Sequence, residues 1–351
     1  VRLSEDLILP RVRCAAVHGS TGADPAGSAP TWDAIAVVEV PLPWPKDISA
    51  AEPFASLMPD PGAAVLVGAD GRRWRPQGVA PRSVQGSTPA GIGDSEGVGV
   101  TVMAFERIHP QEGLTGPFER REWRVADMDA AGRLLTALLC DDPAAVEGFS
   151  SDRDDPAPSL VDLLVCTHGT RDVCCGGPGA ALFSELVSLL GGEERAGETA
   201  GERAGFRLWR TSHAGGHRFA PTAISLPDGM SWAHLAADPA AVVLQRDRPA
   251  GEVTPHCRGS VTLEGAPAQM ADREGLALRG WPWLEQDRVA TVVAHERDTL
   301  ATTVDVVAAD GSGVRVRVEL DRHIAMPTCG TVGEPELVTE AVWKAASVEV
   351  I

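Results

Sequence analysis

Val161-Asp-Leu-Leu-Val165-Cys166-Thr-His-Gly-Thr-Arg-Asp-Val-Cys174-Cys175-Gly-Gly-Pro178 is the stretch on which the fold turns. Val161–Val165 has the length and apolar character of a buried strand, and it runs straight into a loop with three thiols. Pro178 stands where the first residue of a helix is expected. Leu182, Phe183, Leu186, Leu189 and Leu190 then make an apolar face over 178–190, and Gly191-Gly192 marks its end. Phe206–Thr211 reads as a second strand leading to Ser212-His213-Ala-Gly-Gly-His217. Thr222–Leu226 and Met230–Leu235, joined by Pro227-Asp-Gly229, read as a hairpin, and Asp238-Pro239 opens a short helix.

The order strand, loop, helix, strand, loop, hairpin, helix is that of a thioredoxin-like domain, expected over 159–285. Upstream, Ala34–Val40, Ala63–Gly68, Gly97–Phe105 and Arg121–Ala126 read as strands, with a short helix near 49–58. Asp127 is placed to cap a helix over 128–140, where Leu134, Leu135, Leu138 and Leu139 recur at helical spacing. This predicts an N-terminal α/β domain over 1–142. The polar, Pro-rich segment 143–158 is the linker candidate. A helix is expected near 266–278, then a β-rich extension over 286–351. There Val314, Val316, Val318 and Leu320 alternate with Arg315, Arg317 and Glu319, as in a half-exposed hairpin. The expected class is therefore α/β, with a thioredoxin-like domain between an α/β domain and a small β-rich region.

The chain has 351 residues, 44% hydrophobic and 23% charged, with a formal charge of −18. Such a balance is that of a soluble globular protein and argues against nucleic-acid binding, which needs clustered positive charge. It suits docking to a partner with a basic face. No apolar run is long enough to span a membrane, and Val1–Ser20 lacks a signal-peptide core. Seven cysteines without disulfide-framework spacing favour a reducing, cytoplasmic setting with metal or redox use.

Cys166 and a thiol of the Cys174-Cys175 pair with His213 and His217 are two thiols and two imidazoles, a complete ligand set for iron–sulfur or zinc. Gly215-Gly216 disfavours a helix between the histidines. Ala214 stands where a zinc protease of the His-Glu-x-x-His type carries its glutamate, which excludes that chemistry. A thiol oxidoreductase working through Cys174 or Cys175 is the third reading. Its weakness is the missing Cys-x-x-Cys, since adjacent cysteines are poorly placed for an unstrained disulfide. His168 is expected to make a loop hydrogen bond. Arg171 and Asp172 are expected to pair with each other or to hydrogen-bond cluster sulfurs, with a structural clasp of the loop an equal alternative. Cys14, Cys140, Cys257 and Cys329 read as ordinary core or surface residues, as do His234, His256, His295 and His323.

The stretches Cys166-Thr-His-Gly-Thr-Arg-Asp-x-x-Cys175-Gly, Ser212-His213-x-Gly-Gly-His217-Arg-Phe-Ala-Pro221 and Leu226-Pro-Asp-Gly229 resemble the sucrase/ferredoxin-like family. Weaker echoes are Pro43-Trp44-Pro45, Arg258-Gly259 and Gln269. The specific motifs cover roughly 158–236. The resemblance implies a thioredoxin-like ferredoxin domain with a [2Fe–2S] cluster on Cys166, Cys175, His213 and His217. One departure is Cys174, which stands where the family commonly has Arg. In such a cluster two thiolates, two sulfides and two ferric ions sum to zero charge. It is then easier to reduce than an all-cysteine cluster, as in Rieske centres at about −150 to +300 mV. The function so implied is soluble electron transfer or redox sensing, an electron carrier rather than a stand-alone enzyme. Structural zinc and thiol oxidoreduction are the alternatives. No carboxylate pair argues for sucrose hydrolysis.

Overall fold

A computed structural model describes residues 13–58, 64–81, 99–107, 111–154, 160–190, 205–327 and 337–351. Helix α1 (Cys14–Ser20) precedes strands β1 (Ala34–Glu39), β2 (Leu66–Val67), β3 (Arg73–Val79), β4 (Val100–Glu106), β5 (Leu114–Thr115) and β6 (Glu119–Val125). Helices α2 (Met128–Leu139) and α3 (Pro143–Glu147) follow. Next come β7 (Val161–Cys166), α4 (Val173–Leu189), β8 (Phe206–Thr211), β9 (Ala223–Leu226), β10 (Met230–Trp232) and α5 (Ala237–Gln245). The chain continues through β11 (Cys257–Ser260), α6 (Ala266–Arg279), β12 (Arg288–Glu296), β13 (Ala301–Ala308), β14 (Gly313–Pro327) and β15 (Leu337–Val350). The class is mixed α/β, as the alternation of strand and helix patterns predicts.

A ten-stranded sheet has the order β11-β10-β9-β7-β8-β3-β1-β4-β6, with β2 paired to β3. Strands β7 and β8 are parallel and linked through α4, and the β9–β10 hairpin lies antiparallel on the other side of β7. Every residue of β1 and of β7 is buried, as expected of strands covered on both faces. The sheet crosses the expected linker without a break. Antiparallel β3 and β8 meet at Val79↔Thr211, and two further backbone bonds run from Ala80 N–H to the Arg210 carbonyl and from Ser212 N–H to the Gly78 carbonyl. That joint lies at the end of β8, where the histidine loop begins.

A buried charge network reinforces the joint. Asp162 on β7 accepts from Arg207 Nε on β8 at 2.6 Å, from Trp209 Nε1 at 2.7 Å and from Arg120 on β6. Arg207 also donates to both carboxylate oxygens of Glu122 on β6, at 2.9 and 2.8 Å. Burial works against the Asp162 charge, yet Arg207 and Arg120 outweigh it and hold the carboxyl below its usual range. Removing one member would leave its partners charged and buried, which costs about 3–5 kcal/mol.

The second sheet runs β15-β14-β13-β12-β5, so a short N-terminal strand completes the C-terminal sheet. Helix α6 packs on it, and the fully buried pair Arg288–Asp272, 2.7 Å apart, ties α6 to β12. The hairpin alternation appears as written: Val314, Val316 and Val318 are buried.

Three local expectations change. Helix α4 begins at Val173, five residues before Pro178, because the Asp172 side chain caps it by accepting from Cys174 N–H at 2.7 Å. Cys174 and Cys175 are therefore in the first turn of the helix and not in the loop before it. No α-helix forms over 49–58. A 3₁₀ turn at Ile48–Ala50 is followed by turns, since Pro53 has no N–H to give. The strand expected at Ala63–Gly68 is reduced to Leu66–Val67 among the described residues. Of the 143–158 segment, 143–147 is helical, and 155–158 lies outside the described residues.

Candidate metal centre

Register places the two ligand loops side by side, because Cys166 at the end of β7 pairs with Thr211 at the end of β8. Within the cysteine loop, α4 returns across the end of β7. Gly179 makes this possible, since a Cβ there would overlap the Cys166 carbonyl oxygen. The turn of helix so positioned carries Cys175 back to Cys166, and both are buried.

One ligand atom each from Cys166, Cys175 and His213 lies within 4.8 Å of the other two, a group that can hold a metal ion. His213 approaches with Nδ1, 3.4 Å from the Cys175 sulfur. The Cys175 S–H donates to Cys166, and with His213 it holds the Cys166 thiol well below the usual range, while Cys175 is pushed up. Two buried thiols against an imidazole are a site whose protons a metal would replace.

The fourth residue of the sequence reading, His217, sits apart from that trio. Its ring lies 6.5 Å from the His213 ring between centroids. Its Nδ1 is 3.0 Å from the Cys14 sulfur and 3.3 Å from Asp172 Oδ2. Burial lowers its pKa, and Asp172 opposes that shift. Gly215 and Gly216, at φ of 89° and 71°, turn the chain between the histidines in the left-handed region, so the expected absence of a helix there holds.

The histidine loop is held from a distance. Arg75 on β3 donates to the His213 carbonyl at 2.6 Å. Gln77 on β3 donates to the Ser212 carbonyl, the Ser212 hydroxyl and the Thr211 hydroxyl, each at 2.8 Å. Arg258 on β11 reaches the Gly215 carbonyl at 3.1 Å and packs over the Phe219 ring at 4.6 Å. Burial, then Arg218 and Arg75, pushes the Arg258 pKa down to about 9. The energetic expense of enclosing that cation is offset by carbonyl and hydroxyl acceptors, Ser28 and Ser231 among them. Gln269 closes the same region by bonding the Ala29 N–H at 3.0 Å and the Ala29 carbonyl at 3.1 Å.

His168 joins the two loops to the N-terminal segment. Its Nδ1 accepts from the His213 N–H at 3.0 Å, so Nε2 carries the proton and donates to the Pro45 carbonyl at 2.8 Å. Thr170 donates to the Trp44 carbonyl at 2.8 Å. The Pro43-Trp44-Pro45 stretch is thus the platform on which the cysteine loop rests. Arg171 pairs with Asp47, not with Asp172 or the sulfurs. Asp172 caps α4 and faces His217.

A sucrase/ferredoxin-like family model matches residues 25–259, well over half of the chain. The chain belongs to the sucrase/ferredoxin-like family. No curated protein and no solved structure matches it. Within the family match lie all four sequence-assigned residues and the anchors Arg75, Gln77 and Arg258. The anchors on β3 and the contact of Cys14 with His217 escaped the sequence reading. Neither Arg75 nor Gln77 has a motif, and Cys14 lies 203 residues from His217. Cys140 is exposed, Cys257 is buried with its thiol pushed up to about 12 by burial, and Cys329 lies outside the described residues. Among the described residues no helix is long and apolar enough to cross a membrane.

Proposed function

We propose that the chain carries one [2Fe–2S] cluster on Cys166, Cys175, His213 and His217 and serves in electron transfer or redox sensing. The observation that carries this reading is the convergence of Cys166, Cys175 and His213, whose ligand atoms lie within 4.8 Å of one another. Family membership and a Cys/His group able to hold metal already indicate a redox-related role.

The chain's own residues have definite tasks in this reading. Cys166 and Cys175 would hold the cluster as thiolates, giving up their thiol protons on loading. His213 binds through Nδ1. His217 would bind through Nε2, because its contacts to Asp172 and Cys14 fall on Nδ1. The cluster, when bound, accepts one electron. Arg75 supplies fixed positive charge within reach of Cys166, which favours the added electron. The overall charge of −18 fits a redox partner with a basic docking face.

Anaerobic purification followed by metal and sulfide analysis tests the reading. Two irons and two acid-labile sulfides per chain, a red-brown colour and an EPR signal on reduction are expected. Stoichiometric zinc without iron, from cells supplied with iron, would overturn it and establish a structural zinc site.

A further inference from the structure

We propose that Cys14 and Cys174 form a redox-active thiol pair that closes to a disulfide under a peroxide-class oxidant, beside the metal centre and separate from it. Their sulfurs lie 3.8 Å apart although the residues are 160 positions apart in the chain. Both side chains are buried, in a small apolar pocket with Ala15, Ala220 and Val173. A disulfide needs about 2.05 Å between sulfurs, so the pair must close by about 1.8 Å, which side-chain torsions can supply.

The other thiols are less suited to either partner. Cys166 and Cys175 are engaged with each other and with His213. Cys175 is adjacent to Cys174 in the chain, where a disulfide is strained. Cys140 is exposed and, like Cys257, lies outside this pocket. An oxidant would reach the buried pair past His217, which touches Cys14 and whose side chain is 36% exposed.

The chemistry balances with hydrogen peroxide as oxidant. One sulfur attacks the O–O bond, giving a sulfenic acid and one water. The second sulfur then displaces the hydroxyl, forming the S–S bond and a second water. The two thiol hydrogens leave in water, and the sulfurs together lose two electrons to the peroxide. The product ties the start of α1 to the first turn of α4 across the histidine loop. It also draws the Cys14 sulfur toward Cys174 and away from His217 Nδ1, leaving Asp172 on that nitrogen.

The test uses the full chain as purified. It is treated with hydrogen peroxide, alkylated with N-ethylmaleimide, digested without reduction and mapped by mass spectrometry. A cross-linked species is expected that joins the Cys14 peptide to the Cys174 peptide, two hydrogens lighter than their sum. Fragment ions should place the bond on Cys174 and not on Cys175, and thiol reductant should dissolve it. Cys14→Ser and Cys174→Ser should each abolish it, while Cys140 is alkylated throughout. Separate alkylation of Cys14 and Cys174 in folded, peroxide-treated wild-type chain would overturn the proposal, as would a bond from Cys174 to Cys166 or Cys175. The wild-type map decides the matter even if a variant fails to fold. The outcome is the same whether the neighbouring site holds iron or zinc, so it is read independently of the cluster assignment.

Discussion

The cysteine loop and the histidine loop leave adjacent parallel strands, yet different parts of the chain hold them. The thiol pair of the cysteine loop is set from within, while His168, Thr170 and Arg171 tie the middle of that loop to Pro45, Trp44 and Asp47. Asp172 caps the helix that follows, Gly179 lets that helix lie on the end of β7, and Cys166 and Cys175 lie nine positions apart. The histidine loop is held by residues far away in sequence: Arg75 and Gln77 on β3, Arg258 on β11 and His168 in the other loop. A short local motif can build a thiol pair. To position two imidazoles on a glycine-rich loop, which has little conformational preference of its own, the rest of the fold must supply the partners.

The most severe test of this contrast is removal of a thiol. Cys166→Ser or Cys175→Ser should abolish metal retention, read as loss of bound iron and of visible absorption. Cys174→Ser should retain both. If Cys174→Ser bleaches the protein and Cys175→Ser does not, the ligand register on α4 is displaced by one residue.

Gly179→Ala comes next. It should destabilise the chain by about 3 kcal/mol or more, because backbone, not a flexible side chain, blocks the new methyl group. Denaturant unfolding measures it. A change below ~1 kcal/mol would mean that α4 does not press on β7 as described.

Gln77→Ala strikes the other loop from the outside. It leaves the Ser212 carbonyl and two hydroxyls short of a donor, and a loss of about 1–3 kcal/mol is expected. If the two loops are separately held, this variant should still retain metal through its thiols but show an altered spectrum from the histidine side. An unchanged spectrum would show that β3 does not position the imidazoles.

The smallest effect expected is on pH dependence. His18 and His234 lie against the histidine side, bonded to each other at 2.9 Å. Burial, followed by Arg218 and Arg258, lowers His18 to about 4. Burial, followed by the neighbouring His18, lowers His234 to about 4. The unfolded imidazoles titrate near 6.5, so between about pH 4 and 6.5 the unfolded chain binds more protons. The stability these neutral histidines confer is present above about pH 6.5 and lost as pH falls toward 4. A decline of a few degrees in Tm from pH 7 to pH 5 is expected, and His234→Gln should reduce that slope. A Tm independent of pH across this window would mean that the pair is not enclosed as described.

Much of the fold could be read along the chain where a pattern is local. Leu134, Leu135 and Leu138 marked α2 because one helix face must be apolar, and all three are buried. Val314, Val316 and Val318 marked β14 because strand faces alternate. Legibility ended where packing substitutes for pattern. The early start of α4 was missed because a proline was given more weight than an aspartate cap six residues before it. The joint between β3 and β8 has no signature, since it consists of backbone pairing between strands far apart in the sequence. The pairs Trp44–His168 and Arg171–Asp47 were likewise invisible, although Trp44, His168 and Arg171 lie in stretches that the family resemblance had marked.

By itself the sequence determined which residue types were present to bind metal, the α/β alternation, and the refusal of Gly215-Gly216 to form a helix. These follow from chemistry and from preferences that act within a few residues. Only the tertiary structure decided that Cys166, Cys175 and His213 converge while His217 turns its Nδ1 to Asp172 and Cys14, and that Cys14 meets Cys174. Contacts across 160 or 203 positions depend on how strands order in a sheet and how helices settle on it. Many weak burial and pairing energies set that arrangement jointly, and no short stretch of residues encodes it.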